Sequence, residues 1–104
     1  MKKLIILVWA LLSGVSVSAA PVNAGQQLFE GNTCSSCHDA TTRTVGPSLS
    51  EIAGRYKGKK VVAELAGRIR SGSQGRWGDM PHPAYEGLTP QEASMLAQWI
   101  LSRK

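Results

Sequence analysis

Large aromatic side chains are scarce in this chain of 104 residues, which has one Phe, two Tyr and three Trp. Set beside eleven Gly and five Pro, they leave little material for a protein-only core, so something other than side chains must help to fill it. No segment alternates polar and apolar residues long enough to make a strand, and there is no internal repeat or low-complexity tract. A long basic run is also missing. The formal charge of +5, from 12 Lys and Arg against 7 Asp and Glu, is too small an excess to imply a nucleic-acid ligand. Wholesale disorder is excluded in turn, because 42% of the residues are hydrophobic and only 18% charged.

The longest apolar run lies at the start. Lys2 and Lys3 precede nine unbroken apolar residues, Leu4 to Leu12, and small residues follow up to Val17-Ser18-Ala19. That is the layout of a secretory signal peptide, and it falls well short of the ~20 residues a membrane span needs. Cleavage is expected after Ala19, because a cut after Ala20 would place Pro21 directly beyond the scissile bond. Residues 1–19 are therefore read as the signal and 20–104 as one domain. Without Lys2 and Lys3 the domain carries ten basic against seven acidic side chains, a net +3.

Two cysteines in an exported chain ordinarily suggest a disulfide, but their spacing points elsewhere. Cys34-Ser35-Ser36-Cys37-His38 is the haem-attachment pentad: two thiols add to the vinyl groups of one haem, and the adjacent His38 becomes an axial ligand of its iron. One turn of chain sets both sulfurs along one edge of the porphyrin and carries the next imidazole beneath it. Two other chemistries compete. A thioredoxin-like pair does not need His38 and usually sits where a strand enters a helix. A zinc site could draw on Cys34, Cys37, His38 and His82, although tetrahedral sites seldom pack three ligands into five residues.

The remaining pattern is helical. Val22 to Gly31 reads as a short helix ended by Gly31-Asn32. Leu49 to Tyr56 places Leu49, Ile52, Ala53 and Tyr56 on one face and stops at Gly58. Val61 to Ser71 turns Val61, Val62, Leu65, Ala66 and Ile69 inward and ends at Gly72. The last helix has the clearest start, with Thr89 as N-cap, Pro90 at the first helical position and Glu92 three residues after the cap. Its apolar stripe is Ala93, Leu96, Ala97, Ile100 and Leu101. The fold class is all-α, about four short helices. Met95, inside this last helix, reads as a packing residue. Arg55, Lys57, Lys59 and Lys60 around Gly58 read first as a solvated loop and second as a docking patch.

Across essentially the whole mature chain the sequence resembles the small class I cytochromes c of bacterial periplasms, in particular the short class ID group. The resemblance rests on Cys34 to His38, Val45-Gly46-Pro47, Arg68-Ile69, Gly72-Ser73-Gln74-Gly75, Trp77-Gly78 and Ala97-Gln98-Trp99-Ile100-Leu101-Ser102. It implies helices packed around one covalently bound haem c. It also implies that Pro47 orients His38 through its carbonyl, that Arg68 and Trp77 lie near the haem propionates, and that Phe29 meets Trp99 where the first and last helices cross. One stretch departs from the family pattern, in which two residues after Trp-Gly are followed by Pro-Met-Pro with the Met on iron. Here Trp77-Gly78-Asp79-Met80-Pro81-His82-Pro83 puts His82 at the proline-flanked position and Met80 two residues early. His82 is the expected sixth ligand, Met80 the alternative, reachable if the loop is re-formed. The function implied is that of a soluble, monomeric periplasmic carrier passing single electrons between transient respiratory donor and acceptor proteins. The alternative is a haem enzyme or gas-binding sensor whose sixth ligand leaves, although no distal acid–base residue stands apart from the ligand candidates.

Overall fold

The computed structural model describes residues 23–104; the signal sequence expected at 1–19 and the first residues of the mature chain lie outside them. Four α-helices follow in order: α1, Ala24–Gly31; α2, Leu49–Arg55; α3, Val62–Ser71; and α4, Pro90–Leu101. A single 3₁₀ turn, Thr33–Ser36, carries the first cysteine. Among the described residues there is no strand, only one isolated antiparallel bridge between Ser73 and His82. No helix among them is long and apolar enough to cross a membrane.

α4 starts as its sequence dictates. The Thr89 hydroxyl accepts from the Glu92 N–H at 3.1 Å, and Glu92 accepts from the Thr89 N–H at 3.0 Å, with Pro90 opening the first turn. α2 has the same device, at Ser48-x-x-Glu51. Buried Ser48 accepts from the Glu51 N–H at 3.0 Å while Glu51 reaches back to the Ser48 N–H, and Arg43 ties down the other oxygen of Glu51 at 2.7 Å. α2 ends at Arg55, one residue short of expectation, with Tyr56 as its cap. Val61 caps α3 instead of opening it.

α4 is the central element and packs against α1, α2 and α3. Its Ala93, Leu96, Ala97 and Ile100 are buried, as are Phe29 of α1, Leu49, Ile52 and Ala53 of α2, Ala66 and Ile69 of α3, and Leu88 just before α4. Val61, Val62 and Leu65 of the expected α3 face are only partly covered. The α1–α4 crossing is close because Gly25 has no side chain: a Cβ there would stand 2.1 Å from Trp99 Cβ. One turn further along, the rings of Phe29 and Trp99 pack with centroids 5.3 Å apart, the meeting the family resemblance implied.

Candidate haem site

The helices leave an apolar hollow walled by Phe29, Leu49, Ile52, Leu65, Ile69, Leu96 and Ile100. Cys34 and Cys37 line it from the attachment turn, with both thiols free, and burial pushes the Cys34 thiol above its ordinary value. His38 donates its N–H to the Cys34 carbonyl at 3.0 Å, which closes the turn. The Cys37 carbonyl then accepts from the Gly46 N–H at 2.8 Å and the Thr44 hydroxyl at 2.9 Å, folding the loop 39–47 back against the motif.

That loop sets the His38 ring. Nδ1 lies 2.7 Å from the Pro47 carbonyl; a carbonyl can only accept, so Nδ1 carries the proton and Nε2 keeps its lone pair. Gly46 is needed for the approach, because a Cβ there would come within 2.8 Å of His38 Cε1.

The opposite side belongs to the segment between α3 and α4. His82 lies there, partly buried, with its main chain bridged to Ser73: His82 N–H to Ser73 O at 2.7 Å, Ser73 N–H to His82 O at 3.2 Å. Its Nδ1 donates to the Pro83 carbonyl at 2.8 Å, so by the same reasoning its Nε2 is also left with a lone pair. Burial holds this imidazole below its ordinary pKa and nearby His38 lowers it further, against the Pro83 carbonyl, which raises it; the neutral form, the one that binds metal, is favoured. The His38 and His82 rings stand 6.1 Å apart, centroid to centroid, at 32°. Two imidazoles sharing one metal ion, at metal–nitrogen distances of about 2.0–2.1 Å, place their ring centres about 6 Å apart. Met80, the alternative, also lies on the cavity rim but is 68% exposed.

Arg68 and Trp77 line the polar rim together with Tyr56 and Arg76. Arg68 donates to the Tyr56 hydroxyl at 3.1 Å and pairs with Glu64. Trp77 carries the Arg55 guanidinium over its face at 4.3 Å and meets Tyr56 edge-on at 6.5 Å. Arg55 thus covers Trp77 from outside the cavity lining and stays exposed, as do Lys57, Lys59 and Lys60. Tyr56, Arg76 and Tyr85 also line the cavity, with no sign of it in the sequence, since none belongs to a local motif. Among the described residues no three His, Cys, Asp or Glu side chains converge as a metal cluster would require, so the zinc reading finds no support.

A flat, largely apolar group with two sulfur attachment points on one edge and a metal between two imidazoles fits this hollow. The comparisons with known proteins agree with the geometry. The family model described as cytochrome c matches residues 22–104. The chain belongs to the cytochrome c family. Cytochrome c-551 of Stutzerimonas stutzeri is 40% identical and cytochrome c-552 of Hydrogenobacter thermophilus 39% identical, each alignment covering 100% of both chains. The crystal structure of wild-type Nitrosomonas europaea cytochrome c552 superposes with a TM-score of 0.71 at 39% identity, over 76% of this chain and 99% of that one. As a small class I cytochrome c the protein carries covalently attached haem c, and Cys34 and Cys37 have the spacing for it. Small cytochromes c of this kind are electron carriers.

Proposed function

We propose that this cytochrome c is an exported, periplasmic one-electron carrier between transient respiratory partners, in which Cys34 and Cys37 would attach the haem and His38 and His82 would hold its iron. The observation that carries the reading is the imidazole pair: 6.1 Å apart across the cavity, each with Nδ1 committed to a proline-residue carbonyl and Nε2 free. When bound, haem c supplies a one-electron couple at its iron.

The chain's own residues do the rest. With His38 and His82 both holding the iron, no position would be left for a substrate and little would rearrange when an electron arrives. A second imidazole where relatives of this class use a thioether leaves the oxidised state better stabilised, which lowers the reduction potential. Arg68 and Trp77, on the polar rim, are assigned to the haem carboxylates, with Pro47 holding the His38 tautomer. The apolar wall of Phe29, Leu49, Ile52, Leu65, Ile69, Leu96 and Ile100 would keep water from a bound porphyrin. Export follows from Lys2, Lys3 and the run Leu4 to Leu12 ahead of Ala19.

Paramagnetic resonance and near-infrared spectra of the oxidised holoprotein test the assignment. The expected result is a low-spin centre with two imidazoles and no thioether-to-iron absorption. His82→Met introduces that absorption and raises the potential, whereas Met80→Ala does neither. A wild-type thioether band that disappears in Met80→Ala overturns the role of His82. N-terminal sequencing from the native host should find a chain beginning at Ala20 in the soluble periplasmic fraction; recovery of residues 1–12 in membranes refutes release after export.

A further inference from the structure

His82 sits on a segment without regular secondary structure, and most of what holds it belongs to that segment or to the end of α3. Its main-chain bridge is to Ser73 and its ring hydrogen bond is to Pro83. These contacts shape the segment, yet none of them ties it to the attachment turn on the far side of the cavity.

Tyr85 does. Its N–H donates to the Ile69 carbonyl of α3 at 3.0 Å, and its ring packs against His82 with centroids 6.1 Å apart at 53°, inside the range of aromatic pairs. Its hydroxyl lies 2.7 Å from that of Thr33, 52 residues away in sequence. Thr33 is the residue before Cys34 and opens the 3₁₀ turn. Among the described residues this is the side-chain hydrogen bond that joins the His82 segment to the attachment turn. One side chain thus touches the distal imidazole with its ring and the cysteine turn with its hydroxyl.

We propose that Tyr85 and Thr33 form a latch that keeps His82 on the iron. The proposal rests on the reading of His82 as the distal ligand and adds the residue that sets how often His82 leaves. For the imidazole to swing out, the segment must part from the attachment turn, which breaks the Thr33–Tyr85 hydrogen bond and separates the two rings. Tyr85 is accordingly a positioning residue, acting through His82. An outside ligand that can bind only when His82 is off reads this equilibrium directly, because its apparent affinity scales with the open fraction.

The experiment is a carbon monoxide titration of the reduced holoprotein, with paramagnetic resonance of the oxidised form, on wild type, Tyr85→Phe, Thr33→Val, the double variant and Thr33→Ser. Loss of one hydrogen bond of ordinary net strength should tighten apparent carbon monoxide binding about three- to tenfold in each of the first two single variants. The double variant should bind no tighter than either single one, since both remove the same interaction. Thr33→Ser keeps the hydroxyl and should bind as wild type does. A side chain that only supports the fold would lower thermal stability without moving this affinity. Unchanged affinity in Tyr85→Phe, or independent effects that add in the double variant, overturns the latch. If Tyr85→Phe does not fold, Thr33→Val decides by itself, because Thr33 is exposed. A wild-type spectrum with two imidazoles beside an insensitive affinity refutes the latch alone; a thioether spectrum refutes the His82 reading and the latch with it.

Discussion

Gly72→Ala is the perturbation whose outcome the packing determines most fully. Gly72 caps α3 at φ 78° and ψ 172°, a region that residues with a Cβ essentially do not enter, at a cost of about 1–3 kcal/mol. A Cβ there would also stand 2.7 Å from the His82 carbonyl oxygen, 3.3 Å from Ala84 N and 3.4 Å from Pro83 C. All three are main-chain atoms of the His82 segment, so no side-chain rotation relieves the contact. Overpacking of this kind adds about 1–3 kcal/mol, and the stiffer unfolded chain returns about 0.4–1 kcal/mol. The net expectation is a loss of about 1–5 kcal/mol. At about 4–8 °C per kcal/mol for a domain of this size, the melting temperature should fall by tens of degrees at the upper end. Gly58→Ala is the control. Its φ is 75°, but nothing lies within 4 Å of the added Cβ, so it meets only the left-handed backbone penalty of about 1–2 kcal/mol. Guanidinium unfolding of the two holoproteins, followed by far-ultraviolet circular dichroism, should show Gly72→Ala the less stable, by the contact of about 1–3 kcal/mol together with any difference between the two backbone penalties. Gly72→Ala alone should also loosen His82 and tighten carbon monoxide binding. A Gly72→Ala protein no less stable than Gly58→Ala, with unaltered carbon monoxide affinity, refutes the claim that the end of α3 sets the His82 backbone.

Replacing both Cys34 and Cys37 with Ala should abolish covalent haem and leave a largely unfolded chain, because so few large side chains cannot fill the hollow; a haem-free double variant that melts cooperatively by circular dichroism contradicts this. Gly25→Ala sets a helix-propensity gain of about 1 kcal/mol against a Cβ 2.1 Å from Trp99 Cβ, and overpacking of about 1–3 kcal/mol or more should win, seen as a lower melting temperature with an unchanged haem spectrum. Glu51 is held below the ordinary carboxylate value of 4.5, chiefly by Arg43, and Glu92 likewise by the backbone and hydroxyl of Thr89. Carboxyls with lowered folded pKa values contribute stability that is present above 4.5 and lost as pH falls through the folded values. Glu51→Gln with Glu92→Gln should therefore flatten the acid side of the melting-temperature profile and leave the shape of its alkaline side alone.

What could be read before folding was whatever is written in neighbouring residues. The attachment pentad occupies five consecutive positions, and the α4 start needs only Thr89, Pro90 and Glu92. α2 shows that even local signals can be passed over: Ser48-x-x-Glu51 has the same spacing as Thr89-x-x-Glu92, yet it went unread beside the clearer apolar face of Leu49, Ile52, Ala53 and Tyr56. The Phe29–Trp99 crossing and the Pro47 carbonyl on His38 came from family resemblance, and the fold places both pairs together. Thr33 and Tyr85 offered nothing to read, since a Thr and a Tyr separated by 52 positions carry no pattern.

The sequence by itself determined the cofactor and the class of fold, covalent haem c among short helices, and it named Cys34, Cys37 and His38 as the residues proposed to hold that haem, because thiol spacing, capping and helical periodicity act over a few residues. It also put His82, held between Pro81 and Pro83, ahead of Met80 as the proposed distal ligand, with Met80 kept as the alternative since a loop tolerates a shift of two residues at small entropic cost. Tertiary structure alone decided which side chains meet. It leaves Met80 68% exposed and brings the His82 ring within 6.1 Å of His38, with Arg55 laid over Trp77 and Tyr85 set between His82 and Thr33. Gly25, Gly46 and Gly72 are needed for the same reason: each stands where another part of the chain comes too close for a Cβ. Such approaches arise only when distant segments pack, and no run of neighbouring residues encodes them.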